Sequence, residues 1–159
     1  YYQLGRALLA AGWKAEAEHA WGRAAILEYP AALFELGRAR MPGPGNLRTI
    51  YASDAYSLLW RAANRGHAGA AEAIGRAHEF GIGTVLSVEA AARWYAVAAA
   101  EGDLSAAERL AIMYVHGYGV RRDLEKAISL FEIVAHGDRA MLQALDRLRR
   151  QPGPVPRAP

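Results

Sequence analysis

Five histidines, two Gly-x-Gly turns and a thrice-repeated arginine are the residues of this chain that could do chemistry. The histidines stand at His19, His67, His78, His116 and His136. No His-x-x-x-His pair occurs, so no helix would carry two imidazoles one turn apart, as zinc sites require. His78-Glu79 lacks the second histidine of a zinc protease, and His78 takes the repeat position held elsewhere by Tyr114, which marks it as a packing residue. Gly81-Ile82-Gly83 and Gly117-Tyr118-Gly119 could cradle phosphate with their backbone N–H groups. Neither follows a strand pattern, and neither is followed by the Lys-Ser/Thr of a P-loop. No Gly-x-Ser-x-Gly elbow is present, and the absence of cysteine excludes thiolate metal sites, thiol nucleophiles and disulfides. The sequence therefore points to no enzyme, no metal and no cofactor.

The arginine is different. Leu4-Gly5-Arg6-Ala7 recurs as Leu36-Gly37-Arg38-Ala39 and, nearly, as Ile74-Gly75-Arg76-Ala77. A guanidinium presents several donors in a planar fork suited to carboxylates and carbonyls. Local pairing is the competing use: Glu35 precedes Arg38 by three residues, Glu72 precedes Arg76 by four, and Glu79 follows it by three. Helix pairs of this kind contribute only about 0.3–0.5 kcal/mol. Arg6 has no acid three or four residues away within the chain.

The elements that must carry these arginines are visible in the bulk and in the periodicity. The chain has 159 residues, 53% apolar and 22% charged, which is ordinary for a folded domain with a real core. Its net charge of +3 is unevenly placed. Residues 139–159 hold Arg139, Arg147, Arg149, Arg150 and Arg157 against Asp146 alone, so the rest is slightly acidic. That distribution argues against a broad nucleic-acid face. The longest alanine-rich apolar run, Ala90 to Ala100, is interrupted by Arg93 and is too short to span a bilayer.

An offset of 36 superimposes Ile74 on Leu110, Gly81 and Gly83 on Gly117 and Gly119, His78 on Tyr114, and Trp94-Tyr95 on Leu130-Phe131. The same offset carries Ala62-Ala63, Gly66 and Ala70 onto Ala98-Ala99, Gly102 and Ala106. Each unit reads as two helices. In the first, Ala107, Leu110, Ala111 and Tyr114 recur at helical spacing. A Gly-x-Gly turn ends it, because glycine accepts the left-handed conformation of many helix C-termini. Asp123 fits the N-cap of the second helix, which is expected to bury Trp94-Tyr95 or Leu130-Phe131. Period and pattern together mark a repeat protein.

These motifs, clearest from Ala106 to Gly137 with "GYGVRRDLEKA", resemble the Sel-one-like repeat (SLR), a relative of the tetratricopeptide repeat. Residues 70–102 match well, with Thr84, Ser87 and Ala90 in place of the usual Val, Asp and Lys. Residues 32–66 match at Leu36-Gly37, Ala62-Ala63 and Gly66, and the first segment fits the shorter tetratricopeptide spacing through Leu4-Gly5, Leu8, Ala17, Trp21, Ala24 and Pro30. The resemblance implies an all-α, right-handed α/α solenoid. The expected units are 1–31, 32–67, 68–103 and 104–138, closed by a capping helix over 139–150 and followed by a Pro-rich tail at 151–159. That tail is expected to be dispensable for folding. Tyr1-Tyr2 begins inside a repeat without a polar cap, so further repeats are expected upstream in the intact protein.

The resemblance also implies function: a non-enzymatic scaffold or adaptor that binds a protein or peptide on its concave face. The processes it suggests are bacterial envelope, exopolysaccharide, virulence or signalling complexes, in periplasm or cytoplasm. The alternative is a regulatory or assembly repeat region of a larger enzyme or membrane protein. In the tetratricopeptide-like register Arg6, Arg38, Arg76 and Ile112 form a column along that face, with Glu72, Glu79 and Glu108 beside it. The column suits an acidic or C-terminal peptide. Leu36 to Leu58 spans two residues more than the corresponding stretches, and the extra length falls in "MPGPGNLRTIYAS". Ile50 and Tyr51 are candidate contacts there, or simply the buried start of the next helix.

Overall fold

A computed structural model describes residues 1–41, 52–67, 69–136 and 138–150. Among them the chain forms helices and no strand. The helices are α1 (Tyr2–Ala10), α2 (Lys14–Ile26), α3 (Pro30–Arg40), α4 (Ala52–Asn64), α5 (Ala70–Phe80), α6 (Val88–Ala100), α7 (Leu104–His116), α8 (Leu124–Ala135) and α9 (Arg139–Arg150). Each helix packs mainly on its neighbours in sequence. Such nearest-neighbour packing is the mark of a solenoid, in which no helix pair buries its apolar face alone. Ile50, Tyr51 and the segment that holds the extra residues, and the tail from residue 151, lie outside the described residues.

The Leu-Gly pair is where sequence becomes packing. Leu36, Ile74 and Leu110 are buried core. The glycine that follows the apolar residue admits a large side chain from the second helix of its own pair. A methyl group at Gly5 would strike the Trp21 indole; at Gly37 it would lie 2.9 Å from Leu59, and at Gly75 2.7 Å from the Tyr95 ring. Ala111 takes this position on α7. Phe131 and Leu130, on the second helix of that pair, are only half-buried, short of the full burial the repeat pattern predicts. Tyr95, opposite Gly75, is fully buried, whereas Trp94 beside it is half-buried. Elsewhere the core is built largely from alanines, such as Ala62, Ala70, Ala91, Ala98 and Ala106, which let helices approach closely.

The helix ends follow from local chemistry. Ser87, Asp103 and Asp123 cap α6, α7 and α8, accepting from the backbone N–H of Ala90, Ala106 and Lys126 at 3.2, 2.9 and 3.1 Å. Gly81 and Gly117 close α5 and α7 with left-handed φ of 66° and 70°. The second glycine of each turn does something else. Gly83 and Gly119, also left-handed, press against the first residues of α4 and α6, at Ala52 and Val88, with no room for a Cβ. Each Gly-x-Gly turn thus seats its own unit on the unit before it. At the far end α9 lies on α8 through Leu145, with Arg149 paired to Glu132 at 3.2 Å and Glu125 at 3.6 Å.

Candidate functional site

The face formed by the first helices of successive pairs carries two cavities at equivalent register positions. One, of about 260 Å³, lies among α1, α2 and α3, lined by Leu9, Lys14, Glu18, Trp21, Glu35, Arg38 and Ala39. The other, of about 310 Å³, lies between α5 and α7, lined by Glu79, Arg109, Ile112, Met113, His116 and Tyr118. In the repeat register Leu9 corresponds to Glu79, Glu35 to Arg109, Arg38 to Ile112, and Ala39 to Met113. Two joints between neighbouring first helices, α1 with α3 and α5 with α7, thus hold open space with different chemistry.

Each predicted residue among those described has a definite place. Arg38 is exposed on α3, and its Nε and Nη2 donate to Glu35 Oε2 at 3.2 and 2.8 Å. Arg76 is exposed on α5 and approaches Glu72 Oε1 at 3.8 Å. Arg6 is exposed on α1 and enters no ion pair among the described residues. Ile112 is 46% exposed in the wall of the second cavity, and Glu108 is exposed on α7. Of the predicted set, Arg38 lines the first cavity, while Glu79 and Ile112 line the second.

Glu79 departs from its expected partner. It does not serve Arg76; its Oε2 accepts from Tyr95 Oη at 2.5 Å and from Arg109 Nη1 at 3.1 Å. The carboxylate thereby ties α5, α6 and α7 together, with the guanidinium 6.0 Å from the Tyr95 ring centroid. Burial and the Glu79 hydrogen bond push the Tyr95 phenol far above its ordinary range. Burial also raises Glu72, despite Arg76 beside it.

Sequence reasoning did not find Arg109, Trp21, Lys14 or Glu18. Their partners and neighbours lie on other helices, and only the register, carried through three dimensions, connects them. A second cross-unit anchor was equally unmarked. Glu28 adopts a left-handed φ of 57° where the next units have Gly66 and Gly102, and it binds Arg61 and, at 2.8 Å, Arg65. Two of the histidines are placed as packing residues would be. His78 sits between Tyr56 Oη at 3.1 Å and the Val85 carbonyl at 3.2 Å, and His67 stacks on Phe34 at 4.2 Å, where burial lowers its pKa. Among the described residues no cluster of three metal-ligating side chains occurs, and no helix is long and apolar enough to cross a membrane.

Comparison with known proteins agrees with this architecture. The Sel1 repeat signature matches residues 68–103 and 104–136. Protein sel-1 homolog 2 of Mus musculus is 41% identical over 80 residues, which cover 49% of this chain and 12% of that protein. The ERAD-associated E3 ubiquitin-protein ligase component HRD3B of Arabidopsis thaliana is 35% identical over 86 residues, covering 54% and 14%. The chain thus spans about an eighth of these relatives. Among solved structures, a Sel1 repeat protein from Oxalobacter formigenes superimposes with a TM-score of 0.80 at 24% identity, over 95% of this chain and 62% of that one. A protective antigen of uropathogenic Escherichia coli with an SLR fold gives a TM-score of 0.68 at 28% identity, over 79% and 27%. Helicobacter pylori cysteine rich protein B gives 0.57 at 18% identity, over 81% and 92%. Sel1 repeats generally serve as protein–protein interaction scaffolds. The chain is an α/α solenoid, two of whose units, at 68–103 and 104–136, match the Sel1 repeat.

Proposed function

We propose that this solenoid is a non-enzymatic adaptor that holds a protein or peptide along the face of its first helices, within a bacterial multiprotein complex. The observation that carries the reading is the recurrence of a cavity at the same register position between α1 and α3 and between α5 and α7. A core explains why Leu36 and Ile74 are buried; it does not explain why charged and apolar side chains converge around open space at two joints of the stack. Arg6, Arg38 and Arg76 supply donors on this face, and Ile112 supplies exposed apolar surface.

Photo-crosslinkers at Ala39 and Ile112 test the reading, with Val97 and Ile133 on the second helices as controls. Adducts with one partner are expected from the first pair and not from the controls. Changing Arg6, Arg38 and Arg76 together to Ala should leave the helical signal intact and weaken capture of that partner strongly. Equal adducts from all four positions would sink the proposal.

A second reading, a regulatory or assembly region of a larger enzyme or membrane protein, draws support from the length of the relatives and from the name of the plant one as a ligase component. The full-length gene discriminates the two. A catalytic or membrane domain in it favours the second reading, and further repeats behind an export signal favour the first.

A further inference from the structure

His67 stands where the later units have an aspartate. An offset of 36 carries it onto Asp103, and Asp138 opens α9 in the same way. Those carboxylates accept from backbone N–H groups of the helix that follows: Asp103 from Ala106 at 2.9 Å, Asp138 from Ala140 at 2.9 Å and from Met141 at 3.2 Å. At the start of α5 the equivalent N–H, that of Ala70, bonds to the His67 carbonyl instead, at 3.0 Å. The imidazole stacks on Phe34 of α3, with ring centroids 4.2 Å apart and planes 21° apart. Its Nδ1 is buried and has no hydrogen-bond partner among the described residues. Phe34 also lies close over Gly69, where a Cβ would stand 3.2 Å from its ring. The turn that leads from one unit into the next is thus held against α3.

The two protonation states of this ring need different surroundings. A neutral imidazole can leave Nδ1 as a bare lone pair, whereas an imidazolium carries N–H on both nitrogens and needs an acceptor at each. Nδ1 is offered none. A positive charge there would also meet the positive N-terminal end of the α5 dipole. Burial accordingly holds the imidazole below its ordinary value of 6.5. The carboxylates that face it, Glu35 on α3 and Glu101 at the end of α6, pull the other way, but neither reaches Nδ1. We propose that His67 is an acid-sensitive latch: the neutral ring fastens the turn between α4 and α5 to α3, and proton uptake releases it. One cavity lies among α1, α2 and α3 and the other between α5 and α7, so release frees the two to move relative to each other. The packed ring binds its proton less tightly than the released turn does. The latch is therefore intact above about 6.5 and is lost as pH falls through that value toward the lower one of the packed ring.

An NMR titration of the imidazoles, each assigned through its bonds to the backbone, tests the latch together with amide hydrogen exchange at each pH. The His67 ring is expected to titrate below 6.5, and Phe34→Ala, which removes the stacking partner, should move it back toward that value. Between about pH 7.5 and 5 the amides of Ala70 and Ile74 should lose protection relative to those of Ala106 and Leu110. The loss should reach about tenfold for each pH unit that separates the two titrations. His67→Phe supplies a ring that stacks but cannot titrate, and it should keep that protection at every pH. Titration of His67 at or above 6.5, protection that ignores pH, or an equal loss in His67→Phe would each overturn the latch. Should His67→Phe fail to fold, the titration and exchange of the unaltered chain decide alone.

Discussion

Single positions in this molecule are governed by whether an atom has space. Leu110 is buried in the core that α5, α6 and α7 share, so Leu110→Asp forces an unpaired charge into it. The expected loss is more than about 3 kcal/mol, visible as a collapse of the thermal midpoint. Gly75→Ala drives a methyl into the Tyr95 ring, and overpacking of that kind costs about 1–3 kcal/mol. Gly22 is the control: it lies within α2 with open space where a Cβ would stand, so Gly22→Ala should stabilise by about 0.5–1 kcal/mol. Charge acts through burial in the same way. Burial raises the Glu72 pKa, so the fold disfavours its ionised form. Glu72→Gln should therefore stabilise the protein at neutral pH, with the gain disappearing as acid protonates the native glutamate. Urea melts of both proteins across that range check the sign. The arginine motif was legible at this scale, since Arg38 and Arg76 do meet Glu35 and Glu72. The engagement of Glu79 by Tyr95 and Arg109 was not, because residues 16 and 30 positions away leave no local pattern.

At the scale of the helix, the ends were easier to read than the faces. Asp123 was identifiable as a cap because its carboxylate precedes an apolar run, and it accepts from Lys126 N as expected. That backbone hydrogen bond holds the Asp123 carboxyl below its usual range. The stabilisation is fully present above the unfolded carboxyl's pKa of about 3.9 and is lost as pH falls through the lower folded value. Asp103 does the same capping for α7, and Asp103→Ala should cost about 0.5–2 kcal/mol by denaturant unfolding at neutral pH. The apolar faces were harder. The Leu130-Phe131 pair copies Trp94-Tyr95 in sequence, yet both of its residues are half-buried whereas Tyr95 is fully buried. How deep a residue lies depends on the helices packed against it, which its own helix does not spell out.

For the molecule as a whole, position in the stack outweighs position in the repeat. Leu4 holds the same register site as Leu36, Ile74 and Leu110, but it is 52% exposed where they are 3%, 0% and 5% exposed. The second helix of the preceding pair covers each of the later three: α2, α4 and α6 pack on α3, α5 and α7. Leu4→Asp is therefore expected to change stability by no more than about 0.5 kcal/mol in this chain, against the severe loss at Leu110. Parallel thermal melts of the two variants make the comparison. The period revealed the stacked pairs. The cavities were not revealed, since each is the space left between helices whose side chains differ from one joint to the next.

The seating of Gly83 and Gly119 on the starts of α4 and α6 has a geometrical consequence. Each contact is a tooth that fixes the angle through which one unit is turned relative to the last. In a stack joined only between neighbours, such angles accumulate, and they set pitch and curvature for everything beyond. A single added carbon at Gly83 would open one joint slightly and swing the units after it as a block. The spacing of the two cavities, and so the length of chain that could bridge them, is geared to a pair of missing side chains.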